Sequence, residues 1–551
     1  MSLPEQRPAT PRRRLLRAGA AAGLTVAGLV AAGSRAHAAP HRTAAPGTPL
    51  GAPSAAPYGA PRRTGAARPS VEFGGSHGAL LSGAYQAALE NLLDINTVPY
   101  DPDEYNQTGL MTDPPGTFIR AGGGYEQPWT RDASVNSWNA ASLLSPDVAR
   151  NTLWSVCRRQ EDGGGDGTGG GLIVQQDNQW WDQIIWAVAA WQHWLVTGDR
   201  AFVNDAYEAA VNTLRVDKAE HFNADYGLFE GPSFMQDGIA GYPSPPYDPG
   251  NDSSFVLDHP GADKLMCLST NCLFHAACLA CAGMAAVTGD RRAARGFRAA
   301  AARLRAAINR HLWRPEAGSY GYLIHGSGER AGRLEPHQEG NGLAFAILCG
   351  VASRRQTAAI LDSTHREPHG VVNVWPHFER FDDAHPGRHN AIVWPMTVGM
   401  WGHAAAVGGR VGTFAQAVTD IAGLQRQDGH FWELYHARTG AVDGGWQNGR
   451  QWPSQPDQTW SATAYLRLVH QGLFGLRHER DGLRFAPSLP AGWGPVTLRG
   501  LTCRGMTLDI TLTGKGNRIA SCTVDGHRRS GTRTVLPAGL RGRHEVCVEL
   551  V

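Results

Sequence analysis

From Ala79 onward, apolar residues recur at intervals of three and four with polar residues between them. That pattern predicts helices near 79–95, 132–144, 146–160, 180–196, 200–217, 268–287, 290–312, 339–350, 352–364, 391–406, 412–425 and 457–470. Turns as short as "SPD" after Leu144, and "TGD" after Val196 and again after Val287, join helix to helix, and connections of that length make antiparallel pairs. Six such hairpins predict an (α/α)6 barrel over 71–475, with the even-numbered helices as its inner ring. From about Leu476 the period changes to two. In "MTLDITLTG", Met506, Leu508, Ile510 and Leu512 fall on one face, which predicts a small C-terminal β-sandwich over 476–551. The fold class expected is mainly α, with that β domain appended.

The unusual residues are not spread evenly over this pattern. "YEQPWTRD" precedes the second helix, "IVQQDNQWWD" the fourth, and "YGLFEGPSFMQDGIAGYPSPP" leads toward the sixth. "EPHQEGNG" precedes the eighth, "NVWPHFERFDDAHPGRHN" the tenth, and "FWELYHARTGAVDGGWQNGRQWPSQPDQTW" the twelfth. The alternate turns are terse. One end of the barrel is therefore expected to be scaffold and the other a binding funnel rich in Trp, His and carboxylates. With 17 Trp in the chain, Trp129, Trp375, Trp394 and Trp446 are candidates to stack on ligand rings.

Within these loops a few side chains suggest chemistry. Glu433 lies among Phe431, Trp432 and Tyr435, and apolar walls raise carboxyl pKa values in the way proton transfer near neutrality uses; the alternative is a Glu capping the turn at Thr439-Gly440. Glu230 follows Phe229, an apolar neighbour that would help keep an acid protonated. Asp237 in the same loop is its nearest rival. In "WTRD", the guanidinium of Arg131 and the carboxylate of Asp132 can together hold vicinal hydroxyls beside a Trp, or Asp132 can cap the second helix. Asp177, Trp180, Trp181 and Asp182 either line the site or pack inward as a helix start.

Composition narrows the setting. The first 38 residues run from Arg12-Arg13 through an Ala/Gly/Leu/Val stretch to Ala36-His37-Ala38. They resemble a twin-arginine export leader, so a secreted protein with no membrane segment after cleavage is expected. Removing its six Arg and one Glu takes the formal charge from +2 to −3, which leaves no basic field for nucleic acid. Residues 39–70, rich in Ala, Pro and Gly, read as a disordered spacer. Cys267, Cys272, Cys278 and Cys281 lie along one apolar helical stretch and read as small core residues. His365, His369, His377, His385 and His389 match no tight ligand spacing, and "EDGGGDGTGGG" lacks the spacing of a calcium loop. No metal or cofactor is expected.

"PWTRDASVNSW", "YGLFEGPSF" and "ELYHARTG" followed by "QTWSATAYL" resemble, in that order, the signature loops of the glucoamylase family within the six-hairpin glycosidases. The resemblance implies an exo-acting, inverting hydrolase removing terminal α-glucose from oligosaccharides or glycosides. It makes Glu230 the general acid, Glu433 the general base, and Arg131 with Asp132 the grip on the terminal sugar. The C-terminal "GLRFAPSLPAGW" and "RGMTLDI" are similar instead to the β domain of rhamnosidase-like and trehalose-phosphorylase-like members. Only the spacer stands where bacterial relatives carry a long N-terminal β-sandwich, so the sugar stays open. Another α-glycosidase, such as an α-L-rhamnosidase, or an inactive sugar-binding protein are the alternatives.

Overall fold

A computed structural model describes residues 68–112, 116–159, 171–174, 179–529 and 535–551. The expected leader, nearly all of the spacer, Asp177 and most of the Gly-rich run at 161–171 lie outside the described residues.

The twelve expected helices are present among the described residues. They are α1 (Gly78–Glu90), α2 (Thr130–Asn136, continuing to Leu144), α3 (Pro146–Trp154), α4 (Trp180–Gln183 and Ile185–Thr197), α5 (Arg200–His221) and α6 (Leu268–Thr288). The other six are α7 (Arg291–His311), α8 (Gly340–Leu348), α9 (Arg354–Ser363), α10 (Pro395–Val407), α11 (Val411–Arg426) and α12 (Thr459–Arg467). The repeated "TGD" shows how a hairpin is written. Gly198 and Gly289 end α4 and α6 in the left-handed conformation, at φ 75° and 100°. The next residue, Asp199 or Asp290, accepts a hydrogen bond from a first-turn amide of the following helix, at 3.0 and 2.8 Å.

Inner and outer helices differ as their surroundings require. α7 buries Ala294, Ala301, Leu304 and Ile308 along one stripe and turns its arginines outward. In α8 every residue from Gly340 to Ile347 is buried. α6 is long and apolar enough to cross a bilayer by length and composition, but it is an inner helix packed against α4, α8 and its hairpin partner α7. The contacts α2·α4, α4·α6, α6·α8, α8·α10, α10·α12 and α12·α2 close the ring. This is the (α/α)6 barrel. Cys157, Cys267, Cys272, Cys278 and Cys281 are buried in it as small core residues, and none of them forms a disulfide.

The β region begins earlier than the sequence pattern suggests. β1 (Ser70–Phe73) falls at the expected junction of spacer and barrel, yet it pairs antiparallel with β4 (Val496–Cys503), Ser70 opposite Arg499. Its alternation is the reason: Val71 and Phe73 are buried and Glu72 is exposed. The remaining strands are β2 (Leu476–Glu479), β3 (Gly482–Phe485), β5 (Met506–Gly514), β6 (Ile519–Val524), β7 (His527–Arg528), β8 (Val535–Pro537) and β9 (Gly542–Leu550). They form a six-stranded sheet in the order β1-β4-β5-β9-β6-β7 and a three-stranded sheet β2-β3-β8. Met506, Leu508, Ile510 and Leu512 are buried as their spacing required.

Candidate active site

The six long loops meet through their side chains. Trp129 stands before α2 with φ 47°, a left-handed backbone that a bulky residue adopts only when its surroundings impose it. From that bend the first turn of α2 carries Arg131 and Asp132 inward. Arg131 Nη1 donates to Asp182 Oδ2 at 2.5 Å and Nη2 to Asp237 Oδ2 at 3.4 Å, while Nε lies 3.9 Å from Asp132 Oδ2. One guanidinium therefore gathers carboxylates from the loops before α2, α4 and α6. Burial works against its charge, and Asp182, Asp237 and Asp132 more than offset it, so the net shift is upward.

Asp132 sits inside the first turn and caps nothing; its Oδ1 accepts from Gln458 Nε2 at 3.3 Å. Burial pushes its carboxyl up to about 8 against the pull of Arg131, with Glu433, Asp182 and Asp237 adding repulsion. Asp182 is pushed up to about 6, again first by burial, while Arg131 and the Met235 amide at 3.0 Å pull it back.

Glu433 joins the cluster from the loop before α12. Its Oε1 accepts from Tyr125 Oη at 3.1 Å and its Oε2 from Arg388 Nη2 at 3.0 Å. It is buried among loops and does not cap the turn at Thr439-Gly440. The deep carboxylates Asp132 and Glu433 have side chains 4% and 5% exposed, against 38% for Asp237. The acids thus run from a sealed floor to an open rim.

Glu230 belongs to a different environment. Phe229 stacks on Phe274 with ring centroids 3.7 Å apart, and Glu230 follows just past the end of that short strand. Both its oxygens are occupied, Oε1 by Asn223 Nδ2 at 2.8 Å and Oε2 by Lys264 Nζ at 3.0 Å. The apolar neighbour read from the sequence does not shield this carboxylate, and neither Arg131 nor Glu433 is among its partners.

The tryptophans divide similarly. Trp181 is fully buried in the core, and Trp180 stacks on His221 at 4.0 Å while donating to the Glu230 carbonyl; both pack as a helix start. Trp375 is stacked on His365 at 3.6 Å. Trp394 stacks on His389 and lies 5.2 Å from the Arg388 guanidinium, bracing the residue that holds Glu433. Trp129, edge-on to Tyr125, and Trp446, edge-on to His385, keep part of their surface open. Tyr125, Arg388 and Gln458 lie in the loops that the sequence marks, but nothing within those loops singles them out. Arg388 lies 45 residues before Glu433, and nothing in spacing or pattern pairs the two.

Replacing Asp132 by Asn gives one checkable outcome. A carboxyl raised by folding contributes stability fully below its unfolded value near 4, and that contribution is lost as pH rises through about 8. Asn does not titrate. Its melting temperature relative to the parent should therefore climb between pH 4 and 8 and level off above, in a thermal-melting series. If Asp132 grips the terminal sugar, as the resemblance implies, Asp132→Ala should weaken both substrate binding and turnover, since contacts to a reacting group tighten in the transition state.

A closed ring of six helical hairpins with a floor of buried carboxylates and a guanidinium at one end is an architecture of the six-hairpin type. The profile of the mannosylglycerate hydrolase MGH1-like glycoside hydrolase domain matches residues 125–461, and the chain belongs to that family. No curated protein matches it. Among solved structures it is similar to one titled sialidase, with a TM-score of 0.61 and 16% identity, covering 84% of this chain and 40% of the other. It is also similar to the GH78 rhamnosidase of Bacillus sp. GL1, with a TM-score of 0.52 and 18% identity over 80% of this chain and 41% of that one. An uncharacterized conserved protein from Thermus thermophilus aligns with a TM-score of 0.51 and 15% identity, over 70% and 99% of the two chains. At these identities the likeness is one of fold. The chain spans about two fifths of the length of the first two.

Proposed function

We propose that the protein is an inverting, exo-acting hydrolase of terminal α-glucosidic bonds, with Glu433 as general base and Asp237 as general acid. The observation that carries this reading is the gradient of exposure across one connected set of carboxylates. The terminal sugar would lie on the sealed floor, gripped by Arg131 and Asp132. Its leaving group would point toward the rim, where Asp237 is the half-open carboxyl. Inversion requires one carboxyl to protonate the glycosidic oxygen and another to take the proton of an attacking water on the opposite face, with roughly 6.5–9.5 Å between them. The carboxylate of Glu433, fixed by Tyr125 and Arg388, keeps lone pairs for that water. Asp237 takes the acid role in place of Glu230 because Asp237 shares the Arg131 guanidinium with Asp132 and Asp182, whereas the partners of Glu230, Asn223 and Lys264, lie outside that set. The choice of α-glucose rests on the glucoamylase-like loops, and export on the twin-arginine-type leader.

The test is the first product. Aryl and alkyl α-glucosides, α-mannosides, α-rhamnosides and mannosylglycerate, the last because the family's name carries it, would be supplied one at a time, and the released sugar followed by proton NMR within seconds. The expected result is turnover of α-glucosides with β-glucose appearing first and mutarotating later. α-Glucose as the first anomer would overturn inversion, and turnover confined to another sugar would overturn the specificity.

A further inference from the structure

Beneath the loop that carries Asp237 lies a carboxyl group that the reaction above does not use. Glu339 is the residue just before α8 and is wholly buried. It does not cap its own helix. Instead its Oε2 accepts from the Ser269 amide in the first turn of α6 at 3.0 Å, and its Oε1 bonds to the Ser233 hydroxyl. Among the described residues it forms no ion pair. A side chain on Gly342 would put its Cβ 2.3 Å from Oε2, so the helix start is built around this carboxyl.

The hydrogen bonds continue from Ser233 to Gln236, the residue before the acid. Ser233 Oγ also accepts from Gln236 Nε2 at 2.9 Å, and its backbone amide donates to Tyr242 Oη at 2.9 Å. Gln236 Oε1 accepts from Tyr322 Oη at 3.0 Å, and the Phe234 amide donates to Ser269 Oγ at 2.9 Å. Ser233, Gln236, Ser269, Tyr242 and Tyr322 are all fully buried. The turn they hold contains Met235 at φ 58°, a left-handed backbone that persists in such a residue only where the surrounding contacts impose it. The next residue but one is Asp237, delivered to Arg131.

We propose that Glu339 is a positioning residue for the proton-donating step, fixing the Ser233–Gln236 turn against the start of α6 so that Asp237 stands at the rim facing Arg131. The inference rests on the reading of Asp237 as the acid. Burial supports a second property of the group: it pushes the Glu339 carboxyl up to about 7 against the pull of Ser233 and Ser269. The groups facing it are Ser233 and Ser269 through hydrogen bonds, with Cys267, Cys272 and Tyr322 further off.

Glu339→Gln keeps the volume and alters one donor-acceptor pair, and Ser233→Ala removes the hydroxyl if the first variant does not fold. Each would be assayed on methyl α-D-glucoside and on α-D-glucosyl fluoride, whose leaving group needs far less protonation. Displacing the acid should cost about tenfold or more in kcat on the methyl glucoside, within the range general acid catalysis supplies. It should cost less than about threefold on the fluoride and leave KM unchanged on both. Equal losses on both substrates, or no loss, in a folded variant overturn the proposal. Asp237→Asn distinguishes the two readings: if its losses are the same on both substrates, the acid assignment is what failed. A crystal structure of Glu339→Gln reads the proposal without activity. The Asp237 carboxyl should have left Arg131, and an unmoved carboxyl overturns it.

Discussion

Glu433→Ala should lower turnover by about 10³-fold with the barrel intact. The base is the group that takes a proton from the attacking water, and removing a well-placed base costs about 10²–10⁴-fold. The loss should stand well above the lower end of that range because the site holds Glu433 so firmly. Tyr125 and Arg388 fix both oxygens at 3.1 and 3.0 Å, and Trp394 braces Arg388 in turn. With Glu433 as the base, loss of its carboxylate would leave a cavity opposite the leaving group. Azide, which needs no deprotonation, should enter it and restore part of the cleavage of α-D-glucosyl fluoride, giving β-glucosyl azide. Near-wild-type turnover in the alanine variant would remove Glu433 from the mechanism, and α-glucosyl azide would remove inversion. Circular dichroism and thermal melting of the variant establish that the fold has survived, since an emptied site beside Arg388 leaves a buried guanidinium with one partner fewer.

Asp237→Asn and Glu230→Gln should separate as widely. If Asp237 supplies the leaving group's proton, its Asn variant should lose about 10²–10⁴-fold on alkyl glucosides and little on glucosyl fluoride. The alkaline limb of the pH–rate profile, which reports loss of the acid's proton, should flatten. Glu230→Gln replaces a side chain 12% exposed, paired with a Lys264 that is 42% exposed, by an amide of the same shape that can still bond to Asn223, away from Arg131 and Glu433. Its kcat should stay within about threefold of the parent, a range in which a contact away from the reacting atoms falls. Steady-state kinetics on the two substrates decides the matter, and the reverse pattern would return the acid to Glu230.

The barrel was legible in the sequence because each hairpin is written locally. A glycine that accepts a left-handed end and an aspartate that caps the next helix lie side by side in "TGD", and burial repeats at the helical period. The floor of the site was partly legible too: Arg131, Asp132 and Glu433 stand in the loops whose composition marked them. What spacing does not encode is the direction in which a loop side chain points. Glu230 and Asp237 are seven residues apart in one loop, and two features give them different surroundings. Phe229 packs in the core at the end of the strand Leu228–Phe229, and Glu230, just past it, bonds to Asn223 and Lys264. The left-handed bend falls on Met235, a residue type that gives no sign of it. Arg388, Tyr125 and Glu339 escaped notice for a related reason: their partners lie on other hairpins, and each pairing exists only once the ring has closed.

The pairing of β1 with β4 bears on the order in which the molecule can be made. A chain emerging from the ribosome presents Ser70–Phe73 among the earliest of the described residues, but its partner strand, Val496–Cys503, arrives when nearly all the rest has been synthesised. The ring has the same property, because Tyr465 in α12 donates to the Leu81 carbonyl in α1 and Tyr85 bonds to His470. Both the sheet and the barrel therefore close at translation's end rather than growing outward from a finished N-terminal half. Until then α1 carries an apolar face without its neighbour, and β1 an unsatisfied edge of the kind that pairs with other chains. A nascent chain stalled before Thr459, where α12 begins, would hold every other helix of the ring and still be an open arc.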